Sequence, residues 1–205
     1  LMLRRSAAPV VTEDQVIVGF ANGKLAAIQR LDGTLDWVKE VSTPKGRSDI
    51  QRMIDVSATP VVNNGVVYAV GYQGNLAAFA VESGSLLWER PVSSYSGLSV
   101  GRTSVFVSTT EGHVLAVDKQ DGGIRWKSDA LTGRRLSKPA LLRGKIVVSD
   151  EDGFLHWLSA SNGALKGRYQ VGKGIEATPL VKKDKIYVLT TAGQLNALSM
   201  KEIKS

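Results

Sequence analysis

The chain has 205 residues, 43% of them apolar, no cysteine and a formal net charge of +7. Without cysteine there is no disulfide framework, iron–sulfur cluster or thiolate metal site, and no apolar run is long enough for a membrane-spanning helix. A basic surplus suits nucleic acid, anionic lipid or an acidic partner, but here it is scattered and not interleaved with aromatics, so it reads as a solvated surface.

The chain opens on "LMLRR", in which Leu1 and Leu3 are apolar without an evident strand role and Arg4 stands beside them. Residue 1 is not Met, and neither a signal peptide nor a lipidation motif is present, so the chain is expected to be part of something longer. "AAPVVT" predicts a short strand at Pro9, "QVIVGF" a β-branched strand, and "KLAAIQ", after Gly23, a third. "LDWVKEV" predicts a fourth, carrying Trp37, after a tight turn at Asp32–Gly33. Ser42–Asp55 follows as a polar, charged connection that holds Arg52 and Asp55, with Met53 and Ile54 between them. Apolar residues beside Arg and Asp suit a protein-binding edge; the competing reading is a tolerated surface insertion.

The same order then recurs. Gly23, Gly74, Gly112, Gly153 and Gly193 align, spaced 51, 38, 41 and 40 residues apart. Ten residues after the first four stand Gly33, Gly84, Gly122 and Gly163. Pro9, Pro60, Pro139 and Pro179 open four of the copies, with Leu98 in the third, and Trp88 and Trp126 repeat Trp37. Glu82–Ser83–Gly84 matches Leu31–Asp32–Gly33 and Gln120–Asp121–Gly122, so its carboxylate belongs to a turn and not to a reacting centre. Four strands per roughly forty residues predicts an all-β fold, a β-propeller of four-stranded antiparallel blades. The blades fall near 6–42, 56–94, 96–133, 135–173 and 175–205 of a single partial domain, the last lacking its fourth strand. A four-stranded solenoid is the competing architecture. Ala26, Ala27, Ala77 and Ala78 are expected where each sheet tapers toward the axis.

"AIQRLDGTLDW", "AFAVESGSLLW" and "AVDKQDGGIRW" resemble the tryptophan-docking motif of quinoprotein-like propellers, which implies that Trp37, Trp88 and Trp126 wedge between blades. The fourth copy has Gly167 in that place, so its junction is expected to be weaker or differently packed. Along the whole chain "LMLRR", "DIQRMIDVSATPVVNNGVVYAVGYQGNLAAF" and "LSKPALLRGKIVVSDEDGFLHWL" resemble, in that order, the BamB family of lipoproteins of the outer-membrane β-barrel assembly machinery. The resemblance implies an eight-bladed ring of which this chain is a C-terminal portion, at the periplasmic face of the outer membrane, with a lipid anchor outside this chain. It implies a non-enzymatic scaffold without a cofactor that binds a POTRA domain of BamA through a blade-rim patch. Other assembly subunits and unfolded outer-membrane proteins are further implied partners, and nucleic acid is not. The family's contact motif maps onto Leu1, Leu3, Arg4 and Asp55, joined by Arg52 of the same connection; Ser57 stands where the family often has a second acid.

The runner-up is a quinone-dependent or other propeller enzyme; the dehydrogenase is disfavoured by the missing vicinal cysteines and by the lack of carboxylates that depart from the repeat in an axial cluster. Gly172–Ala177 matches a dinucleotide-binding pattern but precedes a strand instead of a helix. Asp150–Gly153 gathers carboxylates without the loop pattern of a Ca²⁺ site, and neither His113 nor His156 has an evident co-ligand. The incomplete last blade predicts an open arc whose edges invite pairing with another copy; a closed five-bladed ring is the alternative.

Overall fold

A computed structural model describes residues 7–20, 22–41, 56, 58–175 and 177–199, which form strands, turns and loops and no helix. The first sheet is β1 (Val10–Val11), β2 (Gln15–Gly19), β3 (Lys24–Gln29) and β4 (Leu35–Glu40). The second is β5 (Val61–Asn63), β6 (Val66–Val70), β7 (Leu76–Ala80) and β8 (Leu86–Arg90). The third is β9 (Leu98–Val100), β10 (Ser104–Ser108), β11 (Val114–Asp118) and β12 (Ile124–Ser128). The fourth is β13 (Ala140–Leu142), β14 (Lys145–Ser149), β15 (Phe154–Ser159) and β16 (Leu165–Gln170). The fifth has three described strands, β17 (Leu180–Lys182), β18 (Lys185–Leu189) and β19 (Leu195–Ser199). Every sheet is an antiparallel meander in sequence order, as hairpin-length connections dictate.

Neighbouring sheets bury each other face to face. Ile17, Leu25, Ala27 and Trp37 of the first sheet meet Val67, Ala69, Ala77 and Phe79 of the second. Tyr68, Leu76 and Trp88 meet Leu98, Val105 and Leu115 in the next interface. Phe106, Val114 and Ala116 meet Ile146, Val148 and Leu158, and Val147 and Leu155 meet Ile186 and Val188. Alternation at period two puts one apolar set on each face of a blade, so each inner sheet belongs to two cores. Among the described residues no core joins the first sheet to the fifth, whose outer face leaves Leu189 and Leu195 exposed. These are five consecutive propeller blades arranged as an arc.

The tryptophans act as wedges. Trp37 donates its indole N–H to the Val81 carbonyl at 2.8 Å, Trp88 to Lys119 at 2.9 Å and Trp126 to Ala160 at 3.1 Å. Each acceptor lies three residues before the turn glycine of the next blade, and the ring lies flat on that glycine. A Cβ at Gly84 would come within 2.6 Å of the Trp37 ring, and one at Gly122 within 2.6 Å of Trp88. Both glycines also hold positive φ, at 64° and 71°.

The alanines of the third strands answer to these rings and not to an axial taper. Ala27, Ala78 and Ala116 pair in register with Trp37, Trp88 and Trp126 across β3–β4, β7–β8 and β11–β12. A bulge directly after each alanine sets the indole over the small residue. The expectation that these alanines sit near the axis is therefore corrected: they lie one strand in from the outer edge. The fourth blade inverts the pair, with Trp157 on β15 in register with Gly167 on β16. Trp157 packs into the core against the fifth blade, so that junction keeps an aromatic wedge from the neighbouring strand.

Candidate partner-binding rim

Connections between blades and the hairpins joining second to third strands emerge on the same rim. Their backbones are tied together: Ser94 N–H donates to the Gly71 carbonyl at 3.1 Å, Gly133 to Glu111 at 2.9 Å and Val171 to Gly153 at 2.9 Å. At the first blade, Val41 N–H donates to Gly23 at 2.9 Å and Val56 N–H to Phe20 at 3.2 Å. Both described ends of the long 42–55 connection are thus stapled to one hairpin. Val41 and Val56 are buried in the core between the first two blades. Gly19 makes room for this: a Cβ there would stand 2.7 Å from the Val56 carbonyl oxygen and 3.4 Å from Ala7 Cβ. Ala8 N–H also donates to Thr59 Oγ1 at 3.2 Å. The strand entries of blades one and two therefore lie side by side, with half-exposed Phe20 between their stapling points.

The residues singled out for partner contact, Leu1, Leu3, Arg4, Arg52 and Asp55, lie outside the described residues, as does Ser57. The described residues that adjoin those two segments, Ala7 and Val56, converge on Gly19.

Further along the rim, both histidines brace the connection between the third and fourth blades. His156 and Asp150 are each 1% exposed, with His156 Nε2 2.8 Å from Asp150 Oδ2. A carboxylate only accepts, so Nε2 carries the proton of this bond, and Nδ1 is buried without a hydrogen-bond partner. Arg134 Nη1 donates to Asp150 at 2.6 Å and to Asp152 at 2.9 Å, and the Phe154 N–H donates to Asp150 Oδ1 at 2.9 Å. Burial pushes the Asp150 carboxyl up, but hydrogen bonds from His156, the Phe154 N–H and Arg134 together outweigh it and hold the group below the ordinary carboxyl value. The guanidinium groups of Arg134 and Arg168 lie over the Phe154 ring at 5.9 and 5.3 Å. On the other side of the connection, His113 has Glu111 at 3.1 Å from Nδ1 and Asp129 at 3.5 Å from Nε2.

Sequence spacing indicates no metal co-ligand for either histidine; the structure supplies each with a carboxylate partner instead. Asp150 reaches His156 from the end of the adjacent strand, and Asp129 reaches His113 from a connection sixteen residues on. Neither arrangement is a metal centre or an active site. The two carboxylates of His113 occupy opposite ring nitrogens and cannot converge on one ion with it, and the Asp150 oxygens are taken by donors. Among the described residues no His/Asp/Glu group converges as a metal site would. Buried at His156, the cluster offers no path to a substrate and serves as a clamp on the rim backbone.

Radially stacked four-stranded sheets, tryptophan-wedged and with a rim of stapled connections, define a tryptophan-docked β-propeller. Comparisons with known proteins agree. The model of the family described as outer membrane protein assembly factor BamB matches residues 1–128 and 116–203. The chain belongs to the BamB family. It is 38% identical over 203 residues to the outer membrane protein assembly factor BamB of Alkalilimnicola ehrlichii, covering 98% of this chain and 53% of the relative. The crystal structure of BamB from Moraxella catarrhalis superposes with a TM-score of 0.89 at 26% identity, over 97% of this chain and 60% of that one. A quinohemoprotein alcohol dehydrogenase from Pseudomonas putida shares only the fold, with a TM-score of 0.66 at 17% identity over 98% of this chain and 42% of that one. The chain spans about half the length of the curated relatives it matches. Those relatives are named as assembly factors and not as enzymes.

Proposed function

We propose that the chain is the platform portion of a non-enzymatic scaffold for outer-membrane protein assembly, working at the periplasmic face of the outer membrane. Its partner patch is the rim at the first two blades, where Leu1, Leu3 and Arg4 enter blade one and Arg52 and Asp55 lead into blade two. The occupant is a POTRA domain of BamA. Leu1 and Leu3 supply apolar contact, Arg4 a bidentate fork for a carboxylate, and Asp55 the reciprocal charge. The observation that carries the reading is the family match along the whole chain, whose relatives are named for outer-membrane protein assembly. The convergence of Ala7 and Val56 on Gly19 supports it, since two contact segments serve one patch only if their roots are adjacent. Wedged blades give that patch a rigid base, which keeps the ordering cost of association low.

The test is pull-down of a purified POTRA domain by Arg4→Glu and Asp55→Lys variants, with thermal unfolding measured in parallel. Binding should fall at least about tenfold for either charge reversal, as for a charge pair at an interface, with unfolding nearly unchanged. Binding equal to that of the unaltered chain rejects the patch.

A further inference from the structure

The rim opposite the partner patch carries the hairpins joining first to second strands and the turns joining third to fourth strands. Its charge changes sign along the arc. The first blade presents exposed Glu13, Asp14 and Asp32 there, with Arg30, and the second presents Glu82. The fourth and fifth blades present Arg143, Lys145, Lys166, Lys182, Lys183 and Lys185. Asp184 is the one carboxylate among them in the described residues, and Arg143 holds it in an ion pair. The net surplus of the whole chain is +7, so much of it is gathered on two adjacent blades.

The placement is specific. Arg143 and Lys183 sit at hairpin tips in the left-handed region, at φ 46° and 55°, where the second blade uses Asn64 at φ 50°. Asparagine suits that conformation; a long cationic side chain gains nothing from it locally. Lys182 and Lys185 pair in register across β17–β18, so two like charges face each other, and the one acid of their turn, Asp184, is held by Arg143. By contrast, Lys119 on the same rim of the third blade is engaged at 2.6 Å with Asn63 Oδ1.

We infer that this basic end of the rim docks on the phosphate headgroups of an anionic membrane surface. Protruding, exposed, mostly lysine tips suit a broad sheet of negative charge. A carboxylate recognised one at a time favours arginine forks in a cleft. The acidic first blade gives the contact an orientation, because a like-charged surface repels that end of the arc.

The experiment is co-flotation of the chain with phosphatidylcholine vesicles, with and without phosphatidylglycerol. Phosphatidylglycerol should raise binding, and salt of about 0.5 M should abolish it by screening. Lys182→Glu/Lys183→Glu/Lys185→Glu should weaken partition at least about tenfold, given the attraction each lysine feels near such a surface. Lys24→Glu/Lys127→Glu/Lys173→Glu, which removes as many charges from the opposite rim, should change it little. Circular dichroism melts of both variants establish that each is folded. Equal binding to both vesicle types, or equal loss from both triple variants, overturns the inference. So does capture of soluble polyglutamate without vesicle binding, which would assign the patch to an acidic polypeptide.

Discussion

Trp157 stands in register with Gly167, where each of the three preceding blades pairs an alanine with a tryptophan. The exchange keeps one indole per cross-strand pair but moves it inward by a strand. Its consequence runs into the next blade. A Trp on the outermost strand needs a glycine under it in the following turn, and ten residues after Gly193 the chain has Ile203 where earlier copies have Gly33, Gly84, Gly122 and Gly163. Trp157→Ala should destabilise by about 2–3 kcal/mol, since the ring is partly exposed and the usual cost for a buried one is higher. Hydrogen exchange should show the loss concentrated in the fifth blade, because stability in stacked repeats is nearest-neighbour. Loss spread evenly over all blades contradicts this assignment.

Gly122→Ala and Gly33→Ala separate ring contact from backbone conformation. Both glycines have positive φ, 71° and 77°, but a Cβ at Gly122 meets the Trp88 ring at 2.6 Å whereas nothing lies within 4 Å of one at Gly33. Gly33→Ala should cost about 1 kcal/mol from the left-handed backbone alone. Gly122→Ala should cost about 3 kcal/mol, the excess coming from overpacking against the indole. Urea denaturation of the two variants makes the comparison.

Asp150 gives the rim a dependence on acid. Its hydrogen bonds hold the folded carboxyl below the ordinary value, so its stabilisation is fully present above the ordinary carboxyl range and is lost as pH falls through the depressed folded value. Asp150→Asn keeps the shape but leaves Arg134 and His156 without the buried anion, at a cost of about 3 kcal/mol near neutral pH. The gap between the variant and the unaltered chain should narrow steadily in acid. Urea midpoints measured from neutrality down to strongly acidic buffer would show a constant gap if the clamp did not matter.

Gly19 ties the fold to the proposed partner patch. Gly19→Ala forces the Val56 backbone away from the Phe20 hairpin, because the new Cβ would stand 2.7 Å from the Val56 carbonyl. Affinity for the proposed POTRA partner should fall several-fold, about 1 kcal/mol, with a stability cost of about 1–3 kcal/mol. Unchanged affinity with reduced stability would detach the patch from the Ala7–Gly19–Val56 junction.

Much of this architecture was legible in the chain before folding. Glycine spacing, β-branched runs and the recurring tryptophans locate every sheet, because strand periodicity and turn chemistry are local properties. The histidine clamps were not legible. His156 and Asp150 meet across adjacent strands, and Arg134 joins them from the connection before the blade, so no spacing rule announces the cluster. The reason for Ala27 and Ala78 was likewise hidden, since register decides which small residue lies under which ring.

The sequence by itself determined that this is a repeated four-stranded unit held by docked indoles, because each unit repeats its own turns, strands and glycines. Only the tertiary structure decided that the fourth blade carries its wedge on the neighbouring strand, that the histidines lock the rim, and that one rim runs from acid to base. Those facts arise from radial stacking, which brings residues of successive blades into contact at distances the linear chain does not encode.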